Sequence, residues 1–376
     1  MARKVVENNI SYDDIKKKYY VNFDYGKDEN GNRVKKSKTF DKKAEAKKAL
    51  REFEAEKTKG ELILPKSITV LEWLEQWIKN AEINREYTTI YGYKNIIDNH
   101  IKPAFGNIEL QKLKSIQIQN YYTDKIQNEK LSSNTVLKHH NLMKTAFKSA
   151  VMQGVINKNP CDYVETPKKT KKQINFYDID ELKELKEKIK GNQIETAVMI
   201  AIYTGLRRSE ICGLSWSNVD FENHVFIVSD ARTMAGSEII TKGTKTEASE
   251  RYEYICNDLY NVIIAEKQRQ VENKEFLGEA YIDSDYVIVM DNGKPYRPNY
   301  ISELFTKFIK NNNLPPLTLH GLRHSFASLT NAVGISQFNT SKMLGHSTPA
   351  TTGKIYTHMY DESHEEEMKR IEEALK

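Results

Sequence analysis

Apolar residues recur at every second position early in the chain. Tyr19, Val21, Phe23 and Tyr25 alternate with polar neighbours, the period of a strand with one covered face. Residues 11–40 therefore predict strands joined by turns. Asp28-Glu29-Asn30-Gly31 supplies a hairpin turn, and Val34 to Phe40 is a basic extended segment. The period then changes. Lys42 to Lys57, rich in Ala, Lys and Glu, predicts a helix. A small sheet with one helix has a small core and is marginal by itself. Residues 58–66, with Gly60 and Pro65, read as a linker. Thr69-Val-Leu-Glu72 has the spacing of a capping box. Leu71, Leu74, Trp77 and Ile78 behind it make an apolar helical stripe, read as core. Further helices are predicted near 87–100, 115–129 and 133–153, punctuated by Pro103, Gly106 and Asn157-Lys-Asn-Pro160. Residues 67–165 thus predict an all-helical domain, followed by a basic linker with Lys168, Lys169, Lys171 and Lys172.

From about 175 the pattern is mixed. A helix is predicted near 178–190, and an apolar segment, Ile194 to Tyr203, breaks at Gly205. Strands fit 219–229 and 249–256, with a lysine-rich turn, Lys242-Gly-Thr-Lys245, between them. Helices return from 257 onward, most clearly at 299–312 and 318–331. The tail from Asp361 holds seven acidic residues against three basic, with Met368, Ile371 and Leu375 along one helical face.

A chain of 376 residues predicts two or three domains. No apolar run approaches the roughly 18 residues of a membrane span, and the first eleven residues lack a signal-peptide core. The three cysteines, Cys161, Cys212 and Cys256, are far apart and form no CxxC pair. That pattern predicts a reduced cytoplasmic setting without disulfides or a zinc site. The net charge of +5 is unevenly spread. Residues 1–60 and 61–174 each hold 17 Lys and Arg against 11 Asp and Glu, while 175–376 holds 23 against 30. The basic front half is either a set of solvated helix faces or a surface for a polyanion.

Four short segments carry candidate chemistry: Thr204-Gly-Leu-Arg207-Arg-Ser-Glu210, Lys245-Thr-Glu-Ala-Ser249-Glu-Arg251, His320-Gly-Leu-Arg323-His324, and Leu344-Gly-His346 with Tyr356 ten residues on. Each has an ordinary structural explanation. Gly-Leu-Arg can end a helix, a hairpin lysine is commonly solvated, His-x-x-Arg can be structural, and a tyrosine on a late helix usually packs.

Together and in this order, the four segments resemble the tyrosine recombinase family, the phage-type integrases. The resemblance implies a multidomain fold over most of the chain. It comprises a small α/β arm-binding domain (1–60), an all-α, SAM-like core-binding domain (67–165), and a mostly helical α+β catalytic domain with a C-terminal tail helix (173–376). Arg207 matches the first catalytic arginine, His320 and Arg323 match the His-x-x-Arg box, His346 matches the histidine after Leu-Gly, and Tyr356 matches the nucleophile. Lys245 matches the hairpin lysine, with Lys242 as its rival. Glu210, three residues after Arg207 on the same helical face, is read as orienting an active-site arginine.

The chemistry agrees with these assignments. Attack on a phosphodiester by a phenol puts negative charge on the non-bridging oxygens. Arg207 and Arg323 could clamp those oxygens. Lys245 would protonate the leaving 5′-oxygen, His320 would act as general base for Tyr356, and His346 would bond the phosphate. A covalent 3′-phosphotyrosine conserves the bond energy, so no cofactor is expected, and these motifs lack the acidic-cluster spacing of a two-metal nuclease, so no catalytic metal is expected. The implied partners are double-stranded DNA at core and arm sites, three more copies of the chain, a host bending factor and a directionality factor. Nucleoid association would follow. Lys35, Lys36 and Lys38 in the arm region, and the linker lysines 168, 169, 171 and 172, are the expected DNA contacts. A type IB topoisomerase shares the active-site chemistry, and an architectural DNA-binding protein with a degenerate site is the non-enzymatic alternative. The basic N-terminal sheet and the amphipathic tail favour the recombinase over the first, and the intact six-residue set disfavours the second.

Overall fold

The computed structural model describes residues 3–27, 31–58, 68–170, 175–243 and 251–345. The chain divides into two compact units, Met1–Lys171 and Lys172–Lys376.

The first unit contains two hydrophobic clusters with no residue in common. The N-terminal one belongs to an antiparallel meander of β1 (Lys4–Glu7), β2 (Ile10–Asp13), β3 (Lys18–Lys27) and β4 (Arg33–Phe40), with α1 (Lys43–Thr58) packed on it. The sheet has one strand more than residues 11–40 predicted. β1 is short and edge-placed, and Val5 is exposed, so it carries no alternating signal. Asn9 and Lys17 adopt left-handed backbone at its turns, which lets two tight reversals form without glycine. The alternation in β3 is real: Val21 and Phe23 meet Ala46 and Phe53 of α1 in the core.

The helical part of this unit follows. α2 (Val70–Glu82) opens with the predicted capping box: the Glu72 N–H donates to the Thr69 hydroxyl at 3.2 Å and the Thr69 N–H to the Glu72 carboxylate at 2.7 Å. Its buried face is Val70, Trp73, Leu74, Trp77 and Ile78, and Leu71 is only half-buried. Trp73 donates from its ring nitrogen to the Ala146 carbonyl at 2.9 Å. α3 (Tyr87–Ile96) does not stop before Pro103. It widens into a π-turn at Ile97–Ile101, where the Lys102 N–H reaches the Ile97 carbonyl, and continues as α4 (Lys102–Phe105). A proline in a regular helix lacks an N–H and strikes the carbonyl four residues back; a π-turn directly before it is the kind of local widening that accommodates the ring without ending the helix. α5 (Ser115–Gln127) and α6 (Ser133–Met152) complete the bundle.

The second unit is built around α8 (Glu195–Thr204), which is apolar on nearly every side and buried accordingly. Around it pack α7 (Ile179–Ile189), α9 (Arg208–Gly213), α10 (Asn257–Leu277) and α12 (Leu319–Ala332), with α11 (Pro298–Asn311) against α9 and α12, and α13 (Gln337–Met343) against α12. Leu185, Ile200, Leu259, Phe305 and Leu322 lie in its core.

The strands depart from expectation here. Residues 219–229 are two strands, β5 (Val219–Asp220) and β6 (Val225–Val228), separated by a turn in which His224 has φ of 53°. β6 pairs with β9 (Arg251–Tyr254), but an additional hairpin, β7 (Asp230–Ala235) and β8 (Glu238–Gly243), intervenes. Its residues do not alternate cleanly. β7 is held by close backbone approach: a Cβ on Gly213 of α9 would stand 2.7 Å from the Asp230 carbonyl oxygen.

Candidate active site

The site starts where α8 must end. Gly205 takes φ of 62°, and a Cβ there would lie 2.6 Å from the Phe326 ring and 2.7 Å from Leu344. Glycine is required both for the left-handed cap and for the contact. The chain then turns so that Arg207, extended at φ −68° and ψ 148°, caps α9. Glu210, in the first turn of α9, accepts the Arg207 N–H at 2.7 Å and its guanidinium Nη1 at 2.7 Å.

Arg323 reaches the same place from α12. Its Nη1 donates to the Gly205 carbonyl at 2.8 Å and its Nη2 to the Leu344 carbonyl at 2.6 Å. Nη2 of Arg207 donates to the next carbonyl, Gly345, at 3.0 Å. Two arginines 116 positions apart in sequence are thus hooked to consecutive carbonyls just before His346. They differ in access: the side chain of Arg207 is 40% exposed, while Arg323 is 3% exposed.

A third arginine completes the cluster. Arg251, at the start of β9, donates to both oxygens of Glu210 at 3.0 and 3.4 Å, to Glu253 at 2.7 Å and to the Met343 carbonyl at 3.3 Å. Burial acts to raise the Glu210 carboxyl, but the bonds and charge of Arg251 and Arg207 outweigh it and hold Glu210 below its ordinary value. Burial pushes Glu253 up to about 7 against the pull of Arg251. Arg323 is pushed down to about 9 by burial and then by Arg207, and still carries its charge at neutral pH. His320, at the start of α12, is held below the usual histidine range by desolvation and then by Arg323, Arg207 and Arg208. His324 packs edge-on against it at 4.9 Å between ring centroids. Burial, then His320 and Arg323, bring His324 down to about 4. A cavity of about 770 Å³ adjoins both histidines, with Leu314 and Leu317 in its wall.

Of the residues singled out from sequence, Arg207, Glu210, His320 and Arg323 come together here. Lys245, His346 and Tyr356 lie outside the described residues, as do Lys171, Lys172 and the tail. Lys242, the rival to Lys245, is on β8 and half-buried. Arg251 and Glu253 were missed as site residues. Their signal was the last residue of the Lys-Thr-x-x-Ser-x-Arg run and the two-residue period that puts Glu253 on the same side of β9.

Lys35, Lys36 and Lys38 are exposed on β4. The register divides them: Lys36 and Lys38 stand opposite Phe23 and Val21, on the face α1 covers, and Lys35 stands opposite Asp24, on the open face. Lys168 and Lys169 are exposed beyond the helical bundle. Among the described residues no helix is long and apolar enough to cross a membrane.

Comparison with known proteins agrees with this arrangement. The phage integrase family model matches residues 175–363, half of the chain. An N-terminal SAM-like domain of phage integrases matches 69–126, and an arm DNA-binding domain matches 9–57. A XerC-like tyrosine recombinase of Caldanaerobacter subterraneus is 28% identical over 96% of each chain. The ICEBs1 integrase of Bacillus subtilis is 25% identical over 87% of this chain and 88% of its own. The fold matches the Tn1549 transposon integrase, solved with a circular intermediate DNA, at a TM-score of 0.70 and 22% identity, covering 81% of this chain and all of that one. It also matches lambda integrase, solved as a tetramer on a Holliday junction, at a TM-score of 0.58 and 18% identity over 92% of this chain and 97% of that one. The chain belongs to the phage integrase family: it is a tyrosine recombinase, an integrase of the mobile-element type that cleaves and rejoins DNA.

Proposed function

We propose that the enzyme recombines two DNA sites through a 3′-phosphotyrosine on Tyr356. The Tyr356 oxygen bonds to the phosphorus, the bond from phosphorus to the 5′-oxygen breaks, and the 5′-oxygen takes a proton from Lys245. His320 accepts the phenol proton; a phenol of pKa about 10 needs such a base at neutral pH, and desolvation, then its arginine neighbours, hold His320 below the usual histidine range, which favours the unprotonated ring. Arg207 and Arg323 bind the non-bridging oxygens, where charge grows during attack. His346 bonds the same phosphate, and Glu210 holds Arg207. The observation that carries this reading is the hooking of Arg207 and Arg323 onto the Gly345 and Leu344 carbonyls. It brings two permanent cations to the segment leading into His346 and Tyr356.

The same reading takes 1–60 as a module for arm-type DNA, 67–165 as the core-site module and 173–376 as the catalytic module. Lys35, Lys36, Lys38 and the linker lysines contact phosphates, which set position more than sequence. Four copies act on two DNA sites in the cytoplasm, on the nucleoid. A bending factor and a directionality factor assist.

Tyr356→Phe removes one oxygen and tests the core of this reading. On a nicked suicide substrate the variant should bind DNA with unchanged affinity and form no denaturation-resistant adduct. An adduct at the wild-type level would move the nucleophile elsewhere, with Tyr360 next in line.

A further inference from the structure

Arg251 has no part in the chemistry set out above, yet it joins three segments of the site. It bonds Glu210 at the start of α9, Glu253 two residues along β9, and the Met343 carbonyl at the end of α13. We infer that Arg251 is a positioning residue for DNA cleavage, aiming Arg207 through the shared Glu210 carboxylate and seating the Met343–Gly345 turn against its own guanidinium.

Glu210 is saturated with donors. A carboxylate offers about four lone-pair positions. Here four donors take them: the Arg207 N–H and Nη1 from one side, and Nη1 and Nη2 of Arg251 from the other. Without Arg251 the carboxylate keeps Arg207 but loses what fixes its own orientation. Arg207 is the more exposed of the two clamp arginines and makes only these bonds and the one to Gly345 among the described residues, so it has little else to hold its direction.

The turn at Gly345 leads to the same conclusion. Gly345 has φ of 60°, and a Cβ on it would lie 2.9 Å from Nη1 and 3.1 Å from Cζ of Arg251. The backbone carrying the carbonyls that anchor Arg207 and Arg323 therefore lies close against the Arg251 guanidinium. Burial adds weight: the Arg251 side chain is 14% exposed and Glu253 6%, whereas Tyr252 and Tyr254, which alternate with them, are exposed at 66% and 81%. The strand spends its inward positions on this ion cluster. The Arg251 guanidinium spreads its donors over three nitrogens in a rigid plane and reaches Glu253, Met343 and Glu210 together; an ammonium has three donors on a single nitrogen and cannot span acceptors in that fork geometry.

This inference rests on the reading that Arg207 acts on the phosphate. The test is single-turnover cleavage of a nicked suicide substrate with full-length enzyme in excess. The rate constant reports the folded molecules and the amplitude reports how many there are. Arg251→Gln should lower the rate constant at least tenfold while DNA affinity changes less than threefold. Arg251→Lys should recover little of it. If Arg251 works through Glu210, the double variant Arg251→Gln with Glu210→Gln should be no slower than the slower single variant, because both remove one contact. A reduced amplitude with an unchanged rate constant, or losses that multiply in the double variant, would overturn the inference. Should Arg251→Gln fail to fold, Glu253→Gln keeps the side-chain shape and weakens the hold on Arg251; a fall of threefold or more supports the inference, and no change sinks it. Arg207→Ala run alongside separates the two levels. If it cleaves normally, the reading of Arg207 is at fault; if it is inactive while Arg251→Gln is normal, only the inference fails.

Discussion

Gly345 and Gly334 pose the same conformational problem in different surroundings. Both have left-handed backbone, with φ of 60° and 81°. Nothing lies within 4 Å of a Cβ on Gly334, whereas one on Gly345 meets Arg251. Alanine in left-handed backbone costs roughly 1–2 kcal/mol at either position. Gly334→Ala should lower the melting temperature by a few degrees and leave the single-turnover cleavage rate unchanged. Gly345→Ala should lose similar stability and also slow cleavage tenfold or more, since the turn or the Arg251 guanidinium must shift, and either movement disturbs the bonds that set the two clamp arginines. Equal cleavage rates for the two variants would show that the turn does not set the geometry of the arginines. The two glycines look alike in sequence, each following a helix, and only the packing separates them.

At the scale of elements, α5 and α6 are joined by an unusual buried polar pairing. The Tyr121 hydroxyl meets Nδ1 of His139 at 2.9 Å and the Tyr122 hydroxyl meets Nδ1 of His140 at 2.8 Å. His139 is fully buried, and its ring lies tilted against His100 with 4.6 Å between ring centroids. Burial, then His100 and Lys125, bring His139 down to about 4. The unfolded chain, with an ordinary value of about 6.5, takes the proton first as pH falls. The contribution of His139 is therefore complete above pH 6.5 and is lost progressively toward pH 4, by about 3 kcal/mol in all. Melting followed by tryptophan fluorescence should show the helical bundle, which holds Trp73 and Trp77, weakening across that window. His139→Gln should flatten the slope, and an unchanged slope would assign the acid sensitivity elsewhere. The helices themselves were plain from their apolar period and caps. The histidines were not, because an imidazole in a helix carries no mark of whether it faces water or a tyrosine.

At the scale of the whole molecule, the arm region has its own hydrophobic cluster, distinct from that of the helical bundle, and its own excess of Lys and Arg. Among its described residues the buried cluster has five apolar members, a small core as expected for a unit of this size. Removing residues 1–60 should leave cleavage of core-site suicide substrates intact and abolish recombination that depends on flanking arm sites. A truncated enzyme that integrates normally in cells would end the two-site reading. Within the arm sheet, Lys35 and Lys36 are neighbours in sequence but stand on opposite faces. Replacing each in turn distinguishes which face grips DNA.

Much was determined by the sequence alone. The change of period from two to three or four, the capping box at Thr69, and the order of Arg207, His320, Arg323, His346 and Tyr356 were enough for the three-part architecture and the family. These signals are local, so they survive in one dimension. The extra hairpin at Asp230–Gly243 was decided by tertiary structure, because it depends on close backbone approach to Gly213 and not on side-chain period; β1, short and at the sheet edge, carries no period that marks it. The ion cluster was decided by tertiary structure too. Arg207, Arg251 and Arg323 share Glu210, Glu253 and the carbonyls of residues 343–345 only because α9, β9, α12 and α13 converge. A charged residue in a sequence looks the same whether solvated or buried, and it is the fold that removes the water and supplies the partner.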